Sequence, residues 1–148
     1  MAKYVLYTDG SCNVADGIGA WGYAIVNPET DNIVRCAMKK VENTTNNRME
    51  LQAIIEGLRQ FKQTSEIEVV SDSAYCINCF KQQWYVKWKQ NHWYASSGPV
   101  KNQDLWQELI SLVEEFKHPI VWTHVRGHSG HKYNELVDKM CTQARTGK

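Results

Sequence analysis

The segment KYVLYTDGS at residues 3–11 decides how this chain is expected to fold. Its apolar and aromatic residues predict a strand, and Gly10 marks the turn that follows. Asp9 shares one strand face with Val5 and Tyr7, and in a central strand covered by helices that face is buried. An ionised carboxylate there costs several kcal/mol unless a cation compensates it. The alternative is an ordinary turn residue at the strand end.

Two more strands and an alternation of helices and strands follow this segment. Residues 17–22 open a second strand that runs through Val26, and residues 33–41 return as a third. The later elements are a helix from residues 44–47, a strand at 66–71, a helix from 72, a helix around 105–116, a strand at 120–125 and a helix at 134–145. This order predicts an α/β fold, a mixed sheet with helices packed on it.

The composition is that of one folded domain. The chain has 148 residues, of which 43% are apolar, and six of them are Trp, which is enough for a core. No apolar run approaches the roughly 20 residues that span a bilayer, and the N-terminus carries no signal or transit pattern. We therefore expect a single domain over residues 1–148, a monomer and a cytoplasmic location.

Two groups of residues raise the question of a zinc or redox site. The five cysteines are Cys12, Cys36, Cys76, Cys79 and Cys141. An odd number without a signal peptide favours reduced thiols. Cys76 and Cys79 form a C-x-x-C pair, but zinc needs a second such pair or matched histidines, so two small helix residues are the favoured interpretation. A cluster of His124, His128 and His131 is the other zinc candidate, and it has no cysteine nearby in sequence.

Charge is segregated along the chain although the net charge is only +1. No Asp or Glu occurs between residues 73 and 103, where four lysines and three tryptophans lie: Lys81, Lys87, Lys89, Lys101, Trp84, Trp88 and Trp93. A basic, aromatic surface beside acidic positions indicates nucleic-acid binding. We define residues 81–101 as the basic Trp-rich segment.

Three further carboxylates occupy positions comparable to that of Asp9. Asp72 follows an apolar strand at the sheet edge where ligands collect in α/β proteins, although a helix cap is the alternative. Glu50 is four residues before Ile54 and borders a core-facing stripe, with a solvated first-turn residue as the alternative. Asp138 borders the apolar stripe of the last helix, or lies on its surface. An oxygen-only set suits Mg²⁺ or Mn²⁺ rather than zinc.

Four segments carry these carboxylates: YTDGSC at residues 7–12, TTNNRMEL at 44–51, SDSAYCI at 71–77 and VRGHSGHKYNELVD at 125–138. Together with the basic Trp-rich segment and PVKNQDLW at 99–106, they resemble type 1 ribonuclease H over essentially the whole chain. The resemblance implies a ribonuclease H-like fold, with a five-stranded mixed sheet (three antiparallel strands, then parallel strands) flanked by helices. It implies an endoribonuclease that hydrolyses the RNA strand of RNA–DNA hybrids and leaves 5′-phosphate and 3′-hydroxyl ends.

The resemblance also assigns roles to site residues. Two Mg²⁺ ions, or Mn²⁺ as a substitute, would be held by Asp9, Glu50, Asp72 and Asp138. Asp9 would bridge the ions, Asp138 would complete the site that activates water, and Glu50 with Asp72 would complete the site that steadies the leaving 3′ oxygen. His128 matches the family's catalytic-loop histidine, which passes protons or assists product departure.

Residues for the RNA strand follow from the same resemblance. Asn46 and Asn47 would face the minor groove, assisted by backbone groups of Cys12 or Asn13, because amide and backbone groups can donate to or accept from a 2′-hydroxyl. One Asn of the pair is equally suited to cap a helix. Ala74 departs from the family, which often has a Gln that contacts RNA there, so one hydrogen bond is expected to be missing.

The DNA strand would meet a second set of residues. They are Thr45, Arg48 and Asn102 for a phosphate, Trp84 and Trp88 for the deoxyribose channel, and Lys87 and Lys89 for the salt-sensitive phosphate attraction. Packing of Trp84 in the core is the alternative. The patch at residues 89–92 is less basic than in the family's strongest examples.

Three other classes share part of this pattern. A transposase, integrase or junction resolvase has similar carboxylates but cuts DNA, and TNNRMEL and GHSGH favour ribonuclease H over it. The second class is the ribonuclease H portion of a reverse transcriptase polyprotein. Met1 and the intact basic segment favour a stand-alone enzyme instead. A catalytically silent hybrid-binding domain is the third, and the presence of all four carboxylates argues against it.

Overall fold

A five-stranded mixed sheet forms the centre of the computed structural model, which describes residues 3–126 and 131–147. In chain order the elements are β1 (Lys3–Asn13), β2 (Ile18–Asn27), β3 (Asn32–Val41), α1 (Asn46–Leu58), β4 (Glu66–Ser71), α2 (Ala74–Lys81), α3 (Trp84–Gln90), β5 (Tyr94–Ala95), β6 (Gly98–Pro99), α4 (Gln103–Glu114), β7 (Val121–His124) and α5 (Lys132–Thr146). The sheet order is β3-β2-β1-β4-β7. Strands β1 to β3 pair antiparallel, and β4 and β7 join in parallel, which confirms the predicted fold class.

Helices cover both faces of this sheet. Leu6 lies against Gly57 of α1, whereas the ring of its neighbour Tyr7 contacts that of Tyr133 on α5, with ring centroids 5.3 Å apart. Because successive strand residues point to opposite faces, α1 and α5 lie on opposite sides of the sheet. Helix α4 packs against α1, and α2 packs against β7.

Helix α1 forms because its sequence supplies a cap and an apolar stripe. The Thr45 side chain accepts a hydrogen bond from the Arg48 N–H, so Thr45 rather than Asn46 is the cap. Leu51, Ile54 and Leu58 are fully buried, and each such side chain contributes roughly 1.5–3 kcal/mol by leaving water.

The region after β4 is more divided than the sequence pattern predicted. A helix was expected from residue 72, but α2 ends and α3 begins around Gln83, which has a left-handed backbone with φ of 57°. The small hairpin of β5 and β6 was not predicted, because two-residue strands leave no periodicity to detect. Among the described residues, no helix has the length and apolar character to cross a membrane.

Candidate active site

Three carboxylates meet at one edge of the sheet. Asp9 lies in β1, Glu50 in the early turns of α1 and Asp72 directly after β4. Each offers an oxygen, and these three oxygens all lie within 4.8 Å of one another. Asp9 is 5% exposed and Glu50 8%, while Asp72 is half-buried. Three acidic groups this close and this shielded from water repel one another, and a bound cation could offset that repulsion.

The pairing register of β1 and β4 explains why Asp9 and Asp72 lie close together. Strands β1 and β4 are parallel, and Tyr7 pairs with Val70. Asp9 and Asp72 each come two residues later, so they lie on the same face and at the same carboxyl edge. Ser73, not Asp72, caps α2 by accepting a hydrogen bond from the Cys76 N–H. The alternative role of Asp72 as the helix cap is therefore excluded.

Glu50 is brought to this edge by a close approach of α1 to β1. A Cβ on Gly10 would lie 2.3 Å from the backbone nitrogen of Glu50 and from the carbonyl carbon of Met49, so only glycine fits there. The Gly10 N–H donates to Glu50 Oε1 at 3.1 Å. The Ser71 hydroxyl donates to Glu50 Oε2 at 3.4 Å. Glu50 is therefore held from two strands and is not a solvated first-turn residue.

Asp138 borders the three carboxylates from the opposite face of the sheet to α1. It is half-buried on α5 and lies outside the group of three. Its negative charge nevertheless raises the pKa of both Asp9 and Asp72, so it is close to them. The structure thus brings three of the predicted carboxylates into contact distance and places the fourth next to two of them.

The cluster is electrostatically costly without a cation. Burial, followed by the charge of Asp72, raises the pKa of Asp9 from 3.8 to about 8. Burial, followed by the charge of Asp9, raises the pKa of Glu50 well above its usual range. Burial, followed by the charge of Asp138, raises the pKa of Asp72. Raised pKa values of this kind are frequent among carboxylates of functional sites, and the all-oxygen donor set fits a hard divalent ion.

The residues predicted for the RNA strand lie beside this cluster on β1 and α1. The Cys12 N–H donates to Asn46 Oδ1 at 2.5 Å, so Asn46 connects α1 to β1. Asn13 is exposed, and its Oδ1 accepts from the Ala15 N–H. Asn47 is exposed at the start of α1. The four residues form a polar surface at one end of α1.

The residues predicted for a DNA phosphate form a connected polar chain. Arg48 makes a two-point ion pair with Asp104, with N–O distances of 2.9 and 2.8 Å. The same guanidinium donates to Asn102 Oδ1 at 3.5 Å. Asn102 in turn donates to the Tyr75 hydroxyl at 3.4 Å, which also accepts from Trp106. Sequence reasoning missed Asp104 and Tyr75, although Asp104 lies in PVKNQDLW.

The basic Trp-rich segment forms a half-buried aromatic row. Trp84 and Trp88 have ring centroids 6.4 Å apart, and Trp88 meets buried Trp106 at 5.4 Å. Both Trp84 and Trp88 pack against the core on one side, so core packing and a surface role are compatible. Lys87 is exposed. Lys89 makes an ion pair with Glu114 at 2.9 Å, which the sequence did not indicate.

The two cysteines of the C-x-x-C pair are structural residues of α2, and the histidine cluster lies only partly within the described residues. Cys76 and Cys79 are buried free thiols on α2, and burial raises the pKa of Cys79 to about 12 and also raises the pKa of Cys76. Both therefore stay neutral, as the structural interpretation expects. His124 Nε2 lies 3.2 Å from the Asp72 carbonyl oxygen. His128 lies outside the described residues.

The fold and the site together define a class: α/β enzymes in which carboxylates gather at the edge of a five-stranded mixed sheet. The chain belongs to the ribonuclease H family, whose model, described as RNase H, matches residues 1–146. It is therefore a nuclease.

Similar proteins agree with this assignment. Ribonuclease H of Thermoanaerobacter sp. (strain X514) is 42% identical over 139 residues, which cover 93% of this chain and 86% of the relative. Ribonuclease H of Acetivibrio thermocellus is 43% identical over 143 residues, covering 96% and 94%. A solved structure, LC9-RNase H1, described as a type 1 RNase H with the type 2 active-site motif, superposes with a TM-score of 0.84 at 31% identity, covering 99% of this chain and 74% of that one.

Proposed function

We propose that this chain is an endoribonuclease that cuts the RNA strand of RNA–DNA hybrids by two-metal-ion catalysis and leaves 5′-phosphate and 3′-hydroxyl ends. The observation that carries this proposal is the cluster of Asp9, Glu50 and Asp72 within 4.8 Å, in a chain of the ribonuclease H family. Phosphodiester hydrolysis needs charge stabilisation more than a strong protein base, and these three carboxylates would hold the cations that supply it.

Asp9, Glu50, Asp72 and Asp138 would hold Mg²⁺, or Mn²⁺ as a substitute. When bound, the two ions activate water and stabilise the attacking and leaving oxygens of the phosphodiester. The chain's own contribution is a fixed donor set. Glu50 is held by Gly10 and Ser71, and carboxylates fixed in advance need no reorganisation during the reaction. For His128 we propose proton transfer or help in product departure.

Recognition of the hybrid would divide between two surfaces. The polar end of α1, with Cys12, Asn13, Asn46 and Asn47, would contact 2′-hydroxyls of the RNA strand. The Asn46 bond to the Cys12 N–H fixes the spacing of that surface.

The second surface would take the DNA strand. Arg48 and Asn102, with Thr45 at the start of α1, would hold a phosphate. The ring faces of Trp84 and Trp88 would accept deoxyribose, and Lys87 with Lys89 would add salt-sensitive attraction. The Arg48–Asn102 contact joins α1 to the start of α4 and supports a shared phosphate site.

A panel of duplexes tests this function. The purified protein is offered end-labelled RNA–DNA hybrid, double-stranded RNA and double-stranded DNA of one sequence, with Mg²⁺ or with chelator. We expect cleavage of the RNA in the hybrid alone, and none with chelator. Cutting of duplex DNA would refute the proposal and favour a DNA-cutting nuclease instead.

We also propose that residues 1–148 form a single domain, that the protein is a monomer and that it is located in the cytoplasm. All five cysteines are free thiols, which suits a reducing compartment. Light scattering at the concentration used for kinetics tests the monomer, and a dimeric mass would contradict it.

A further inference from the structure

Helix α5 meets the sheet at Gly22, the residue that pairs with Asp9 across β1 and β2. Ala20, Gly22 and Ala24 are all buried, and strand alternation puts them on the face that α5 covers. Tyr23 lies between them on the other face and joins the core under α1. The sheet surface below α5 is therefore lined by small residues next to Asp9.

The contact between Gly22 and α5 is tight at one atom, the sulfur of Cys141. A Cβ on Gly22 would lie 3.2 Å from Sγ of Cys141 and 3.7 Å from the carbonyl oxygen of Val137. Cys141 and Val137 are fully buried. The Cys141 thiol also donates to the Asp9 carbonyl oxygen at 3.3 Å. One turn of α5 is thus seated on the Asp9–Gly22 pair by both a steric and a polar contact.

The contact of α5 with Gly22 and Asp9 lies next to Asp138 on the same helix. Cys141 follows Asp138 by three residues on α5, so the two residues lie on the same side of the helix. A shift of the Cys141 backbone therefore also moves the turn that carries the Asp138 carboxylate. Asp138 already interacts with Asp9 and Asp72. Packed interiors transmit such strain because they hold few voids to absorb it.

We propose that Gly22 and Cys141 are positioning residues that set the distance of Asp138 from Asp9. They touch neither substrate nor ion, and they act through the placement of α5. This inference rests on the proposed function, in which Asp138 joins Asp9 in holding divalent ions.

Gly22→Ala is the first test. The added methyl must displace Sγ of Cys141 by a few tenths of an ångström, and active sites lose about a hundredfold in rate for a misplacement of about 1 Å. We expect kcat to fall about tenfold, with KM for the hybrid changed less than about twofold. Calorimetric titration with Mn²⁺, without nucleic acid, should show affinity weakened several-fold.

Two companion variants separate positioning from general damage. Gly22→Ala combined with Cys141→Ala removes the sulfur that the methyl strikes, so the loss in kcat should shrink from about tenfold to about the threefold expected for Cys141→Ala alone, with a parallel recovery in Mn²⁺ affinity. Cys36→Ala is the matched control. It also removes a free thiol, but Cys36 is exposed on β3, so this variant should leave kcat within about twofold.

The outcomes are distinguishable. If the wild-type protein does not cut hybrids, the proposed function fails. The Mn²⁺ titrations still test whether Gly22 and Cys141 position Asp138. If Gly22→Ala changes kcat and Mn²⁺ affinity no more than Cys36→Ala does, or the double variant recovers nothing, the inference is wrong. If Gly22→Ala does not fold by near-ultraviolet circular dichroism, Cys141→Ala and Cys141→Ser decide. We then expect a loss of about threefold in kcat for Ala and recovery for Ser, which keeps a donor, and unchanged kcat in Cys141→Ala overturns the claim.

Discussion

Replacing Asp9 by Asn should make the metal-free protein more stable. Asp9 is 5% exposed and has a pKa of about 8 against an ordinary 3.8. A carboxyl group with a raised folded-state pKa binds a proton more tightly in the folded state than in the unfolded state. Folding stability is therefore lost as the pH rises from about 4 towards 8. Asn has nearly the same shape and carries no charge, so it removes this loss.

The size of the effect follows from the pKa difference. Between the ordinary pKa of about 4 and pH 7 the stability falls by about 1.4 kcal/mol for each of about three pH units. The ionisation of Asp9 therefore destabilises the fold by at most about 4 kcal/mol at pH 7. Glu50 and Asp72 share the same repulsion, and the buried amide needs partners of its own. We therefore expect a gain of about 1–3 kcal/mol in the free energy of unfolding, or roughly 2–12 °C in Tm.

The assay is urea unfolding of wild type and Asp9→Asn in chelator, at several pH values from 3 to 8. The gap between them should be near zero at pH 3 and grow up to about pH 8. Asp16→Asn is the control, because Asp16 is exposed and its Oδ1 acceptor for the Ile18 N–H is kept by Asn. Equal stability of wild type and Asp9→Asn at pH 7, or a gap that does not vary with pH, would refute the electrostatic reasoning.

Three shorter predictions concern other parts of the site. Gly10→Ala should abolish detectable cleavage, because its Cβ would lie 2.3 Å from the α1 backbone and would displace Glu50; activity within about threefold of wild type, measured on folded protein, would contradict this. Arg48→Ala should raise KM for the hybrid about five- to fiftyfold, which corresponds to about 1–2 kcal/mol, with kcat nearly unchanged; a loss confined to kcat would show that Arg48 does not bind substrate. Lys87→Ala should lower the slope of log affinity against log salt by about one unit, and Lys89→Ala by less because Lys89 is paired with Glu114; equal slopes in wild type and Lys87→Ala would remove Lys87 from the binding surface.

Much of the fold was predictable because its signals are local. Residue patterns alone predict three of its elements: the strand of Tyr7 and Asp9, the capped helix after Thr45 and the strand before Asp72. The division of the region after β4 at Gln83 was not predictable, since a left-handed Gln leaves no mark in an apolar pattern. The hairpin of β5 and β6 is likewise too short for periodicity.

The site was predictable in membership more than in contacts. Asp9 and Asp72 coincide because of the β1–β4 register, and register is a property of pairing between distant segments that no single segment contains. The ion pairs of Arg48 with Asp104 and of Lys89 with Glu114 join residues 56 and 25 positions apart. These ion pairs determine how far the positive charges of Arg48 and Lys89 are available to bind phosphate, and only the assembled structure shows them.

In the proposed function, the cluster of Asp9, Glu50 and Asp72 serves to cut one strand of an RNA–DNA hybrid. Its most direct test is product mapping on a hybrid labelled on both strands and digested in Mg²⁺. We predict RNA fragments with 5′-phosphate and 3′-hydroxyl ends beside an intact DNA strand, and no products from Asp9→Asn under the same conditions. A nicked DNA strand, fragments ending in 2′,3′-cyclic phosphate, or full cleavage by Asp9→Asn would contradict the account.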